Sequence, residues 1–199
     1  MRQLDDGYFD VPAGKIAAVV TSLEMIARPP HRPDPPSSVL WRLVRVAEPE
    51  PAAYRTLYRS IGSDWLWFSR LKLTDAALRA TICADGVEIY HLVIGTAAAG
   101  LLELDFHESG SCELSFFGVE PLLIGTGAGR WLMNRALEIV WSREISRFWV
   151  HSCTLDHPAA LDFYQRSGFR PFRRQIEIAD DPRMSGLIAP EKAAHLPMI

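Results

Sequence analysis

Three glycines spaced two apart, Gly125, Gly127 and Gly129 in LLIGTGAGRWLM, set the strongest local constraint on this chain. Without a Cβ, glycine enters left-handed backbone regions that other residues avoid. So permissive a run makes a turn, yet an apolar strand pattern precedes it and a helical pattern follows at once. The stretch therefore either punctuates a fold or bares its backbone for a ligand.

The flanking patterns place that turn. KIAAVVTSLEM (15–25) and VLWRLVRV (39–46) read as strands on either side of a proline-rich connector, RPPHRPDPPSS, over 28–38. Tyr54, Leu57, Tyr58 and Ile61 fall at i, i+3, i+4 and i+7, predicting a helix that Gly62 ends. Thr74 is placed to cap a second helix reaching Cys83. VEIYHLVI (87–94), LLELDF (101–106) and CELSFFGV (112–119) predict a three-strand meander. Beyond the glycines, Leu132, Met133, Ala136, Leu137, Val140 and Trp141 form one apolar helical stripe. RFWVHSC (147–153) reads as a strand. Residues 158–167 read as a short helix with Pro158 in its first turn and Gly168 past its end. FRRQIEI (172–178) reads as the last strand, and the tail from Asp180 has no clear period. Strands, then helix–strand–helix–strand, predict one α/β domain around a mixed sheet, and 199 residues suffice for its core.

Composition narrows the function. A net charge of −3 indicates no diffuse basic surface for nucleic acid or anionic membrane. No apolar run approaches the ~20 residues of a membrane helix, and the polar, acidic N-terminus is unlike a signal peptide. A cytoplasmic protein is expected. Cys83, Cys112 and Cys153 lie far apart with no metal-ligand spacing, so they read as free thiols in a reducing compartment. Cys112 or Cys153 acting as a nucleophile is the alternative to a small core residue.

A helix N-terminus offers unpaired N–H groups and the positive end of its dipole, so phosphate is a natural ligand for the glycine turn. Two nucleotide signatures fail on spacing. Arg130 stands where a dinucleotide fingerprint needs its third glycine, and no lysine is present for a P-loop.

The segment CELSFFGVEPLLIGTGAGRWLMNRAL resembles the acyl-CoA-binding core of the GNAT superfamily of N-acetyltransferases. There a strand precedes a loop of the form Gln/Arg-x-x-Gly-x-Gly/Ala, and a helix follows it. Gly127 and Gly129 match the two small positions, whereas Ile124 stands where Gln or Arg is expected. A second block, HPAALDFYQRSGF (157–169), is similar to the superfamily's Asn-x-x-Ala-x-x-x-Tyr-x-x-x-Gly-Phe. Ala160, Tyr164, Gly168 and Phe169 match in order, with His157 in place of Asn. With the strand between them the blocks cover roughly 86–178.

The resemblance implies a GNAT-like α/β fold, a central mixed, mostly antiparallel sheet flanked by helices. It implies a single domain over 1–199: an N-terminal half (1–85), an acetyl-CoA-binding core (86–178) and an irregular tail (179–199). A strand followed by helices suits the family's N-terminal half. Acetyl-CoA would be the cosubstrate, with no metal. Its pyrophosphate would lie on the backbone of Gly125, Thr126, Gly127, Ala128, Gly129 and Arg130. Its pantetheine would pair with Phe117, Gly118 and Val119 through a splay between that strand and RFWVHSC. Tyr164 would be the acid for the leaving thiolate, and Glu113, or else a water chain, the base that deprotonates the amine. His157 would contact the cofactor or cap the short helix. Arg130 and Arg166 would reach the ribose phosphate or face solvent.

Trp65, Trp67 and Phe68, with Tyr54 and Tyr58, could line an aromatic acceptor pocket or cover the sheet. Glu103 and Asp105 share a strand face, toward a cationic amine or water. The expected activity is acetyl transfer to a small-molecule or peptide amine in a ternary complex, without nucleic acid or membrane partners and with homodimerisation left open. The alternative is an acyl-CoA sensor or interaction module that has lost turnover.

Overall fold

Two hydrophobic stripes decide which face of the sheet each helix covers. The computed structural model describes residues 5–199. Along the chain run β1 (Lys15–Met25), β2 (Trp41–Val46), α1 (Pro51–Gly62), α2 (Asp75–Ile82), β3 (Val87–Ile94), β4 (Ala97–Asp105), β5 (Ser111–Val119), α3 (Ala128–Val140), β6 (Arg147–Cys153), α4 (Ala160–Arg166) and β7 (Arg170–Asp180). All seven strands form one sheet in the order β2-β3-β4-β5-β6-β1-β7. Every neighbouring pair is antiparallel except β5 and β6.

On one face, Leu132, Met133, Ala136 and Val140 of α3 pack with Leu104, Leu114, Phe148 and Val150 of the sheet. On the other, Tyr54, Leu57, Tyr58 and Ile61 of α1 join Leu78 and Ile82 of α2 over Ile89 and Leu101. Each large aliphatic side chain among them contributes about 1.5–3 kcal/mol on full burial, so the two stripes fix both helix layers firmly. Thr74 caps α2 as its sequence suggests, its hydroxyl accepting from the Ala77 amide at 3.2 Å. Among the described residues no helix is long and apolar enough to cross a membrane.

Several boundaries differ from expectation, β2 among them, which starts at Trp41 rather than Val39. β4 starts at Ala97, four residues before Leu101, because only Gly95 and Thr96 form the turn. The small residues that read as a loop pair instead with the end of β3. α4 begins at Ala160, leaving Pro158 ahead of it, and β7 runs longer than FRRQIEI. The placement of β1 matters more. It lies at the far end of the sheet from β2, between β6 and β7, pairing with both. The tail returns to it, setting Ile188 and Ala193 in the same cluster as Ile16 and Ala18 of β1.

The sheet opens where β5 and β6 part. They pair only at Ser111–Arg147, Cys112–Phe148 and Glu113–Trp149. The register of β4 against β5 shifts between Glu103–Phe116 and Leu104–Leu114, leaving Ser115 as an extra residue. A bulge of this kind bends its strand, and here it coincides with the divergence.

Candidate active site

Beyond Glu113 the β6-facing edge of β5 has no strand partner among the described residues, so its N–H and C=O groups stay available. That edge forms one wall of a cleft of about 840 Å³. The cleft reaches from the start of α3 to the loop after β6, and the 63–73 segment forms another wall. Gly118 makes this wall possible. An added Cβ there would sit 2.4 Å from Ile61 Cγ2 and 3.2 Å from Trp67 Cη2, so glycine lets α1 and Trp67 approach the strand.

The glycine turn closes one end. Gly125 and Gly127 take positive φ, 82° and 96°, and Gly127 is the N-cap of α3. Among the described residues, the amides of Gly125, Gly127, Gly129 and Arg130 find no hydrogen-bond acceptor, although the helix that follows is regular. Four orphan donors at a positive dipole end suit an anion. Arg32, Arg130 and Arg166 also line the cleft and add positive charge.

The other end is acidic and aromatic. Tyr164 of α4 is 8% exposed, set among Phe117, Phe163 and Phe169, and its hydroxyl makes no hydrogen bond among the described residues. Burial, assisted by Asp156, pushes this phenol well above its usual range, so it keeps its proton at any working pH. His151 of β6 projects into the same cleft. Its Nδ1 lies 3.4 Å from Glu113 Oε1. The neighbouring Glu113 carboxylate outweighs desolvation and raises the imidazole above its ordinary value, with Asp156 and Glu177 adding to the effect. Asp156 is itself anchored. It accepts from Ser152 Oγ at 2.8 Å, the Cys153 amide at 2.9 Å and Trp67 Nε1 at 3.2 Å.

Ten expected site residues meet in this cleft: Phe117, Gly118, Val119, Gly125, Thr126, Gly127, Gly129, Arg130, His157 and Tyr164. Two do not line it. Ala128, the first residue of α3, is fully buried, and its amide donates to Thr126 Oγ1 at 3.4 Å. Glu113 does not line the cleft either; its carboxylate faces His151 instead. His157 Nδ1 accepts from the amide of Ala159, the N-cap of α4, at 3.0 Å without capping the helix's own orphan amides, while its ring meets Trp65 edge-on.

Glu103 faces neither an amine nor water. It is 1% exposed and takes Tyr54 Oη and Arg70 Nη2, each at 2.5 Å, which ties the 63–73 segment to the sheet. Tyr54 is core, whereas Tyr58, Trp65, Trp67 and Phe68 line the cleft. Burial raises the Cys112 thiol strongly and the Cys153 thiol to about 11, so neither forms a thiolate readily. Among the described residues no group of three or more His, Cys, Asp or Glu is placed to hold a metal.

Sequence reasoning missed His151, Asp156 and Arg32. Alternation along RFWVHSC puts Trp149, His151 and Cys153 on one face, but that pattern carries no sign of the Glu113 contact.

Residues 41–169 match the family model described as the acetyltransferase (GNAT) family. No curated protein matches the chain in sequence. Among solved structures, a functionally unknown conserved protein from Staphylococcus epidermidis is 15% identical, with a TM-score of 0.55 over 84% of this chain and 63% of that one. A GCN5-related N-acetyltransferase from Sphaerobacter thermophilus is 12% identical, with a TM-score of 0.57 over 82% of this chain and 52% of that one. An aminoglycoside acetyltransferase from an uncultured soil metagenomic sample, in complex with sisomicin, is 14% identical, with a TM-score of 0.54 over 64% of this chain and 87% of that one. At such identities the likeness is one of fold. The chain spans under two thirds of the length of the first two structures.

Proposed function

The chain belongs to the acetyltransferase (GNAT) family, and from that premise we propose that it transfers an acetyl group from acetyl-CoA to an amine within this cleft. The observation that carries the proposal is the parting of β5 from β6. It opens an unpaired strand edge between four orphan amides and a buried phenol, the order in which diphosphate, pantetheine and thioester follow one another in acetyl-CoA. Pantetheine amides add to the β5 edge as an extra strand would. The diphosphate takes the amides of Gly125, Gly127, Gly129 and Arg130.

The acceptor is a small-molecule or peptide amine that arrives as ammonium, attracted by Asp156 and Glu177 on the cleft wall. His151, oriented by Glu113, accepts the ammonium proton. The freed nitrogen then bonds to the thioester carbonyl carbon, the C–S bond breaks, and the surplus proton left on the nitrogen passes to solvent, giving the neutral amide. The Tyr164 hydroxyl donates a hydrogen bond to the departing sulfur. Because burial raises this phenol far above a thiol, it stays a donor, and solvent supplies the proton that completes free CoA.

Tyr164→Phe keeps the ring and its packing, so it isolates the hydroxyl. Positioned acid help is typically worth about 10² to 10⁴ in rate, and donation without full transfer lies toward the lower end. The variant is expected to lose at least about ten-fold in kcat while CoA affinity stays within a few-fold. The check is steady-state kinetics beside a separate CoA titration. An unaltered kcat would remove Tyr164 from the chemistry, and lost CoA binding would make it a cofactor contact.

A further inference from the structure

We infer that Arg32, carried on the proline-rich connector, completes a three-guanidinium clamp with Arg130 and Arg166 that reads the ribose 3′-phosphate of coenzyme A. The inference rests on the acyl-CoA reading above and adds to it a residue outside the matched 41–169 segment.

The three arginines come from three separate elements and line the same cleft. Arg32 Nη1 donates to the Arg166 carbonyl at 2.9 Å and lies 3.4 Å from Ser167 Oγ, which sets its head over the end of α4. The connector behind it is pinned. Asn134 Nδ2 donates to the Arg32 carbonyl at 3.0 Å and to Asp34 Oδ1 at 2.7 Å. Arg135 reaches Asp34 at 3.2 Å. Pro29 and Pro35 lie so close to Gly168 and Gly127 that a Cβ at either glycine would approach a proline carbon within 3 Å. The segment is thus held in place rather than draped over the surface.

Charge then has no internal answer. Among the described residues Arg32 and Arg130 have no carboxylate at ion-pair distance, and Arg166 has only Asp162 at 3.8 Å on an exposed helix face. The nearby Asp34 is already taken by Asn134 and Arg135. Arg130 Nε is buried without a partner among the described residues. Desolvation, and after it the two neighbouring arginines, lower the affinity of Arg32 for its proton. An anion relieves that repulsion. The glycine amides already suit the diphosphate, so the surplus of guanidinium charge matches the phosphomonoester, which carries roughly −1.5 to −2 near pH 7. Guanidinium is also the side chain whose fork fits phosphate oxygens.

The test compares CoA with 3′-dephospho-CoA by calorimetry, using the whole chain and Arg32→Gln. The parent is expected to prefer CoA, and Arg32→Gln to lose about ten- to a hundred-fold for CoA, the range of one or two charge-assisted bonds. Its affinity for dephospho-CoA should stay within two-fold or so, which also reports an intact fold. Arg32→Lys should recover part of the loss. Equal losses for both ligands would assign the arginine to the diphosphate and overturn the inference. So would a parent that binds both ligands equally. A parent that binds neither ligand would overturn the acyl-CoA reading itself.

Discussion

His151 and Glu113 meet because β5 and β6 run parallel for three residue pairs before they part. The contact predicts a measurable shift. A carboxylate beside an imidazolium favours the charged ring, so the folded pKa lies above the reference of about 6.5. The stabilisation is complete below the unfolded value and is lost as pH rises through the folded one. In Glu113→Gln the main raising partner becomes neutral, and the His151 titration followed by NMR should move to lower pH. Turnover should fall too, since the ring is then a weaker base. An unchanged titration would separate Glu113 from His151. Tyr164 was legible beforehand because its motif fixes its place relative to Ala160 and Gly168. His151 was not, because its partner lies across a strand register that no local spacing encodes.

At the scale of elements, the connector carries more than its composition suggested. Its prolines do exclude helix, but Pro29 and Pro35 also press against two motif glycines, Gly168 and Gly127. Gly127 therefore serves two demands: a φ of 96° at the N-cap, and room for Pro35 Cβ, which would lie 2.8 Å from an added Cβ. Gly127→Val should strain the backbone and lift the connector together with Arg32. CoA affinity is expected to drop at least ten-fold or so, with a lower melting temperature, since overpacking costs about 1–3 kcal/mol. Ile124→Gln, at an exposed cleft position, should leave both nearly unchanged. Calorimetry and thermal melts on the two variants check this, and a Gly127→Val protein that binds CoA like the parent would contradict it. The strand, glycine turn and helix were readable from hydrophobic period. The overlying connector was not, because proline shows where regular structure stops and says nothing of what the coil packs against.

Across the whole molecule, the family match starts at residue 41, yet β1 over 15–25 is the strand that joins β6 to β7. A chain beginning at residue 40 would leave β6 with only its short parallel pairing to β5, and β7 with no neighbour. It should fail to unfold cooperatively, as judged by calorimetry or circular dichroism. A cooperative transition in that fragment would show β1 to be an accessory. Periodicity identified β1 as a strand, but its position depends on pairing with the far end of the chain. The functional claim belongs to this scale as well, because the cleft needs the connector, the sheet opening and both flanking helices. Its most direct test incubates the protein with acetyl-CoA and a panel of amines, following free thiol and acetylated product together. The account predicts thiol release that requires both substrates and matches N-acetylated amine one to one. Tight CoA binding with no amine-dependent thiol release across the panel would contradict it and favour a sensor on the same fold.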